Sequence, residues 1–202
     1  MFLALEWNNP KTLGDKPPGA ALLGALFASA NTRSGGFATF DVTAQRPATM
    51  LLQDALMFVG GGSASTAGGI KVTTLAVMLL AIRAEARGDR DMEAFGRRVE
   101  PSVLRVAVTV AVASVMIVFT GAFVLSLVSD APLSYILFDC ISAFATCGLS
   151  TGIIPGLPAV AKLTLAAMML AGRLGTMTIA TSVAMSNRRR VIRLPEERPI
   201  VG

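Results

Sequence analysis

The sequence predicts an all-α polytopic membrane protein built from repeated units, each a helix, a short reentrant helix with its loop, and a second helix. Three observations carry that prediction. The 202 residues are 53% hydrophobic and only 15% charged, whereas a soluble domain carries about 25% charged residues. The basic residues cluster between and after apolar runs, with Arg83, Arg87, Arg90, Arg97 and Arg98 in one group and Arg188, Arg189, Arg190, Arg193 and Arg198 in another. Residues 129–161 hold neither Lys nor Arg, so the positive-inside rule puts the two basic groups in the cytoplasm and this stretch outside. Finally, the apolar runs alternate between lengths that can cross a bilayer and lengths that cannot.

Each element follows in order. Residues 1–5 are apolar but too few to cross a bilayer or to form a signal peptide, and they read as the end of a helix. Asn8, Asn9, Pro10 and Gly14 mark a loop. Residues 20–30 make an apolar run of 11 residues, about 17 Å as a helix against a hydrocarbon core of about 30 Å, so this helix enters and turns back. The polar stretch 31–41 follows, and Pro47 opens a helix that runs through Val59. Five glycines among residues 60–69 interrupt it, and apolar character resumes from Ile70 to Ile82. Residues 49–82 therefore read as one crossing broken near its middle, a feature of ion and substrate paths.

Residues 103–128 carry no charge after Arg105 and reach roughly 39 Å as a helix, the clearest span in the chain. Residues 133–145 are again too few to cross and end in Thr146-Cys147-Gly148, after which Gly152, Pro155, Gly156 and Pro158 keep the backbone irregular. Residues 159–185 form the last crossing, with Arg173 near its centre and the basic residues 188–190 as its stop.

Several function classes fall away. With no His and two Cys, the chain lacks the usual zinc clusters, His-based catalytic arrangements and disulfide frameworks, and no enzyme chemistry is expected. The net charge of +5 sits at the ends of apolar runs, which reads as membrane topology and not as a nucleic-acid surface. Gly60 to Lys71 is no phosphate loop, because Ile70 separates Gly69 from Lys71 and Val72 separates Lys71 from Thr73. Cys140 and Cys147 read as packing residues.

Two stretches share one plan. Ser34-Gly35-Gly36-Phe37-Ala38-Thr39 aligns with Thr146-Cys147-Gly148-Leu149-Ser150-Thr151 at an offset of 112 residues, the mark of an internal repeat. The same offset sets Arg173 level with Gly61 and predicts that the two meet. A dehydrated monovalent cation needs oxygen dipoles in place of its water shell, and unwound backbone can supply them where it lines a cavity. Gly36 and Gly148 suit such a turn, or they relieve crowding in a reentrant loop. The short helices before them would aim their negative ends at the loops, favouring cations over anions. Ser34 and Thr146 add hydroxyls there or cap helices. The glycine-rich stretch is either a mobile gate or a site of close helix packing. Arg173 at a helix centre costs about 2.5 to 3.5 kcal/mol on insertion scales; it faces a cavity, or it lies nearer the interface and snorkels. Asp139 serves the cation field or pairs with a neighbouring helix.

These residues resemble the Trk/Ktr/HKT superfamily of potassium transporters, specifically its bacterial KtrB/TrkH-like ion-translocating subunits. The resemblance rests on Thr32-Arg33-Ser34-Gly35-Gly36-Phe37, residues 60–71, residues 142–150, Gly172-Arg173-Leu174-Gly175 and Leu194-Pro195-Glu196-Glu197-Arg198. It implies a potassium-channel-like pore of four repeats, of which residues 1–98 are the third, lacking most of its outer helix, and residues 99–202 the fourth with a cytoplasmic tail. It further implies filter positions at Ser34, Gly35, Gly36, Phe37, Thr146, Cys147, Gly148 and Leu149, with K⁺ held by backbone carbonyls at Gly36 and Gly148. A gate is implied at Gly60, Gly61, Gly62, Ser63, Ser65, Thr66, Gly68, Gly69 and Lys71, with Arg173 as the pore arginine. The implied setting is the bacterial inner membrane, with K⁺ as cargo and Na⁺ as a coupling or activating ion. The implied partners are a second translocating subunit, a cytoplasmic nucleotide-binding regulatory subunit of the KtrA/TrkA kind, membrane lipid and the N-terminal half. Gly35, where Ala is common, and Ala64, where Gly is common, depart from the family pattern.

Overall fold

A computed structural model describes residues 1–62, 67–89, 92–94 and 96–175. Helix α1 (Phe2–Glu6) leads through a loop to α2 (Pro18–Asn31), and a single 3₁₀ turn, Val42–Ala44, precedes α3 (Pro47–Phe58). Both α2 and α3 start on a proline, whose missing N–H is no loss in a first turn. At 14 residues, α2 is about 21 Å long and too short to cross a bilayer. Helix α4 (Val72–Arg87) runs past the expected end at Ile82 and stops at Gly88, whose φ of +72° and N–H satisfy the carbonyls of Ala84 and Glu85.

A two-residue antiparallel pair, β1 (Glu93–Ala94) with β2 (Arg97–Arg98), follows. It departs from the purely helical expectation, and Gly96 at φ +72° supplies the turn. Helix α5 (Pro101–Val128) has 28 residues and is, among the described residues, the one helix long and apolar enough to span a membrane. The short apolar helix α6 (Leu133–Phe144) comes next, and α7 (Ala159–Leu170) passes into a π-helical turn, Ala171–Gly175. The expected continuation through residue 185, the basic residues 188–190 and the Leu194 to Arg198 motif lie outside the described residues.

Helix α6 sits at the centre, against α3, α5 and α7. Ile136, Cys140 and Phe144 on α6 pack with Leu125 of α5 and with Ala161 and Leu165 of α7, all buried. On its other side Phe138 meets Met57 of α3. A third cluster joins Phe2 and Leu13 to Ala21, Ala25 and Ala28 of α2. Gly121 of α5 lies against the Met168 side chain of α7, and close approach through small residues holds helices together in lipid, where expulsion of water contributes little. The opposite face of α5 exposes Val112, Val115, Phe119 and Phe123, a continuous apolar stripe suited to acyl chains or another subunit.

Candidate functional site

The two loops that end the short helices share an unusual backbone. Among the described residues only Ser34 and Thr146 take positive φ without being glycine, at +71° and +52°. Two residues further on, Gly36 and Gly148 also take positive φ, at +71° and +89°. Both pairs are separated by the 112 residues of the sequence repeat. A left-handed conformation costs an ordinary residue about 1–2 kcal/mol, so each loop needs bonds that hold it there.

Each loop is tied to its own helix. Asn31, the last residue of α2, accepts the Phe37 N–H on its Oδ1 at 3.1 Å and donates from Nδ2 to the Phe37 carbonyl, while its own carbonyl takes the Gly35 N–H at 3.1 Å. In the second unit the Ser142 hydroxyl donates to the Leu149 carbonyl at 2.5 Å, and the Ser142 carbonyl accepts the Cys147 N–H at 2.9 Å. Asp139 accepts from the Thr151 N–H at 2.9 Å, the Thr151 hydroxyl at 3.1 Å and the Ser150 hydroxyl at 3.4 Å. Neither role foreseen for Asp139 is what its hydrogen bonds do, for they bind the loop that follows its own helix. The anchoring roles of Asn31 and Ser142 were not foreseen; a polar residue in the last turn of a short apolar helix is the one signal that pointed to them.

The two loops meet. A Cβ added to Gly148 would lie 3.1 Å from the Gly36 Cα, and one added to Gly36 would lie 3.3 Å from the Cys147 carbonyl oxygen. The buried Cys147 thiol spans the same junction, 3.4 Å from the Asn31 carbonyl. Ser34, Gly35, Gly36, Phe37 and Gly148 are exposed at this junction, Thr146 is half-buried, and Cys147 and Leu149 are buried. Among the described residues no group of three or more Cys, Asp or Glu side chains gathers to hold a metal. The chemistry available at the junction is that of peptide oxygens and hydroxyls.

The glycine-rich stretch leaves the line of α3 and returns to it. The Gly60 N–H donates to the Ile70 carbonyl at 2.8 Å, Ile70 N–H to Phe58 at 3.1 Å and Val72 N–H to Gly61 at 3.3 Å. These bonds fasten the two ends of the excursion, so α3 and α4 remain coupled across the break. Gly60, Gly61, Gly68 and Gly69 are buried and Gly62 is exposed; Ser63, Ser65 and Thr66 lie outside the described residues. The Lys71 ammonium donates to the Ala67 carbonyl at 3.4 Å.

This excursion touches the second loop. The Gly68 N–H donates to the Thr146 hydroxyl at 3.0 Å, and a Cβ on Gly68 would sit 2.8 Å from the Phe144 carbonyl oxygen. Gly172 presses on that same carbonyl from the π turn after α7, leaving no space for a side chain. The neighbouring Arg173 is exposed. The glycine-rich stretch and the Arg173 turn thus converge on the last residue of α6 through Gly68 and Gly172, where the repeat offset had aligned Gly61.

Comparison with known proteins adds a family. Residues 2–191 match the family described as TrkH: Cation transport protein. The chain is 36% identical over 198 residues to the Ktr system potassium uptake protein B of Bacillus subtilis, covering 98% of this chain and 44% of that protein. It is 35% identical over 202 residues to the Ktr system potassium uptake protein B of Vibrio alginolyticus, covering 100% and 44%. The potassium/sodium uptake protein NtpJ of Enterococcus hirae is 33% identical over 208 residues, covering 100% and 46%. The chain therefore spans less than half the length of these relatives.

Proposed function

Because the chain belongs to the TrkH family of cation transport proteins, within the Trk/Ktr superfamily, we propose that it supplies two of four repeats to a potassium-uptake pore. Residues 1–98 are the third repeat and residues 99–202 the fourth. The reading rests above all on one observation, the contact of Gly36 with Gly148 at positions related by the sequence repeat. Left-handed residues at alternate positions break the zigzag of an extended chain and let successive carbonyls share one side. Ser34, Gly35, Gly36 and Phe37 on one loop, and Thr146, Cys147, Gly148 and Leu149 on the other, then line a path where peptide oxygens replace the hydration shell of K⁺. Helices α2 and α6 both end at this path, and their negative ends favour a cation.

Below it, Gly60 to Lys71 acts as an intramembrane gate. Its backbone is pinned at both ends, and its Gly68 rests on Thr146 and Phe144. Arg173 follows the Gly172 that packs on the same carbonyl and sets a barrier to the passing ion. Two loops do not encircle an ion, so conduction requires a complementary half, consistent with relatives more than twice as long. The assembled subunit works as a homodimer in the bacterial inner membrane, with its C-terminus cytoplasmic and a nucleotide-binding regulatory subunit on that side. Na⁺ serves as a coupling or activating ion, as the name of the Enterococcus hirae relative accommodates.

The test is reconstitution of the chain in liposomes with and without a complementary N-terminal half, followed by rubidium uptake. Flux with both halves and none with either alone is expected. Equal background in every arm, with both halves inserted, would assign this chain to assembly and not to conduction.

A further inference from the structure

Behind the loop that follows α2 lies a cavity of about 10 Å³, lined among others by Asn31, Phe37, Phe40, Gln45, Gln53 and Leu149. Gln45 and Gln53 are 6% and 2% exposed, and the Oε1 of each is buried without a hydrogen-bond donor among the described residues. Asn31 Nδ2 donates to the Phe37 carbonyl and not to either glutamine oxygen. An unmet buried acceptor is costly, and two around one small space call for a shared guest.

We propose that a single water molecule occupies this cavity, donating one hydrogen to Gln45 and one to Gln53, and that it positions the filter loop from behind. Volume limits the guest to the size of one water. Chemistry separates water from a bare cation of similar size. The cavity lining includes no carboxylate to offset a cation's charge, and an unpaired buried charge is far costlier than a neutral guest. Water also tolerates either orientation of each amide, donating to an oxygen or accepting from an NH₂, whereas a cation needs oxygens alone. With this water in place, the 3₁₀ turn and α3 are linked to one another directly behind Phe37 and Phe40. Gln45 and Gln53 are then positioning residues for the third-repeat filter loop, a role that rests on the filter reading given above.

The experiment is a structure of the intact transporter in lipid nanodiscs, at a resolution that reveals ordered water. One peak at about 2.7–3.2 Å from both glutamine side chains is the expected result. An empty space, or a peak surrounded by several oxygens at ion-contact distance that changes when Na⁺ is exchanged for Rb⁺, overturns the proposal. Gln53→Met should abolish the peak and lower the preference for Rb⁺ over Na⁺ severalfold, and Gln45→Met, which removes the other acceptor, should do the same. Loss of the peak with selectivity untouched refutes the positioning role. The peak in the unaltered protein reads the cavity independently of ion flux, so failure of the filter assignment and failure of the water site are separable, even if a variant does not fold.

Discussion

The Gly68 N–H reaches the Thr146 hydroxyl at 3.0 Å, so a glycine in the excursion between α3 and α4 is bonded to a residue held in left-handed conformation at the end of α6. The bond joins the proposed gate to the proposed filter. Thr146→Val keeps the shape and removes the acceptor, leaving the Gly68 N–H unmatched. A typical hydrogen bond contributes about 0.5–1.5 kcal/mol, which moves a two-state gate by roughly 2- to 12-fold toward the released form. Rubidium flux in the assembled transporter should rise by that order in Thr146→Val and stay near the parent value in Thr146→Ser. Equal flux in all three proteins would uncouple the excursion from the loop. Gly68→Ala should act in the same direction, since its Cβ would meet the Phe144 oxygen at 2.8 Å.

Gly148 is constrained twice. Its φ of +89° penalises any side chain, and a Cβ there would press on Gly36 at 3.1 Å. Gly148→Ser should therefore destabilise the loop by about 1–2 kcal/mol from the backbone alone and push the two loops apart, relaxing the preference for K⁺ over Na⁺. Competition of Na⁺ with rubidium uptake measures this. Unchanged competition in a correctly assembled Gly148→Ser protein would argue that the junction is not where ions are sorted.

What could be read from the residues divides along physical lines. The two short helices and their loops were legible because length alone forbids them to cross, and because the offset of 112 recurs in the left-handed positions 34 and 146. The break between α3 and α4 was legible because five glycines in ten residues cannot continue a helix. The anchors were not. Asn31, Ser142 and Asp139 are polar residues in largely apolar helices, and only the folded path of each loop decides which backbone groups they bind. Register aligned Arg173 with Gly61, yet the route of the excursion delivers Gly68 to the Phe144 carbonyl beside Gly172. A ten-residue detour has no fixed period, so register carries no information about its far side. The short pairing of Glu93–Ala94 with Arg97–Arg98 escaped notice because two-residue strands have no alternation to read.

Arg173 is exposed on a π turn, and the Gly172 before it packs against the last residue of α6, the residue that Gly68 of the proposed gate also meets. For two like charges about 8 Å apart at an effective dielectric of about 20, the repulsion is about 2 kcal/mol, the scale of barrier such a charge would add near the path. Arg173→Gln should increase rubidium flux, up to roughly 30-fold if that repulsion limits the rate. Reduced flux with normal assembly would contradict a barrier role. Gly172→Ala should instead impair assembly, because its side chain has no space beneath Phe144.

Glu6 is fully buried at the end of α1 and gathers four donors. Asn9 Nδ2 donates to it at 2.5 Å, the Thr12 hydroxyl at 2.7 Å and the Arg46 N–H at 2.9 Å, with the Thr49 hydroxyl as the fourth. Arg46 and Thr49 belong to the start of α3, so a carboxylate from another helix caps that N-terminus and offsets its exposed N–H dipoles. Asn9 also donates to the Ala44 carbonyl at 2.9 Å, which fixes the turn leading from the first loop into α3. Glu6→Gln replaces an all-acceptor group with one oxygen and one NH₂, and the NH₂ must face at least one of these donors. Hydrogen bonds to charged groups contribute about 1.5–3 kcal/mol, and a loss of that order should appear as a lower thermal midpoint in detergent. Thr12→Val, which removes one neutral donor and leaves the carboxylate three partners, should cost less. Should Glu6→Gln melt with the parent protein, the carboxylate would not be what fastens α1 to α3.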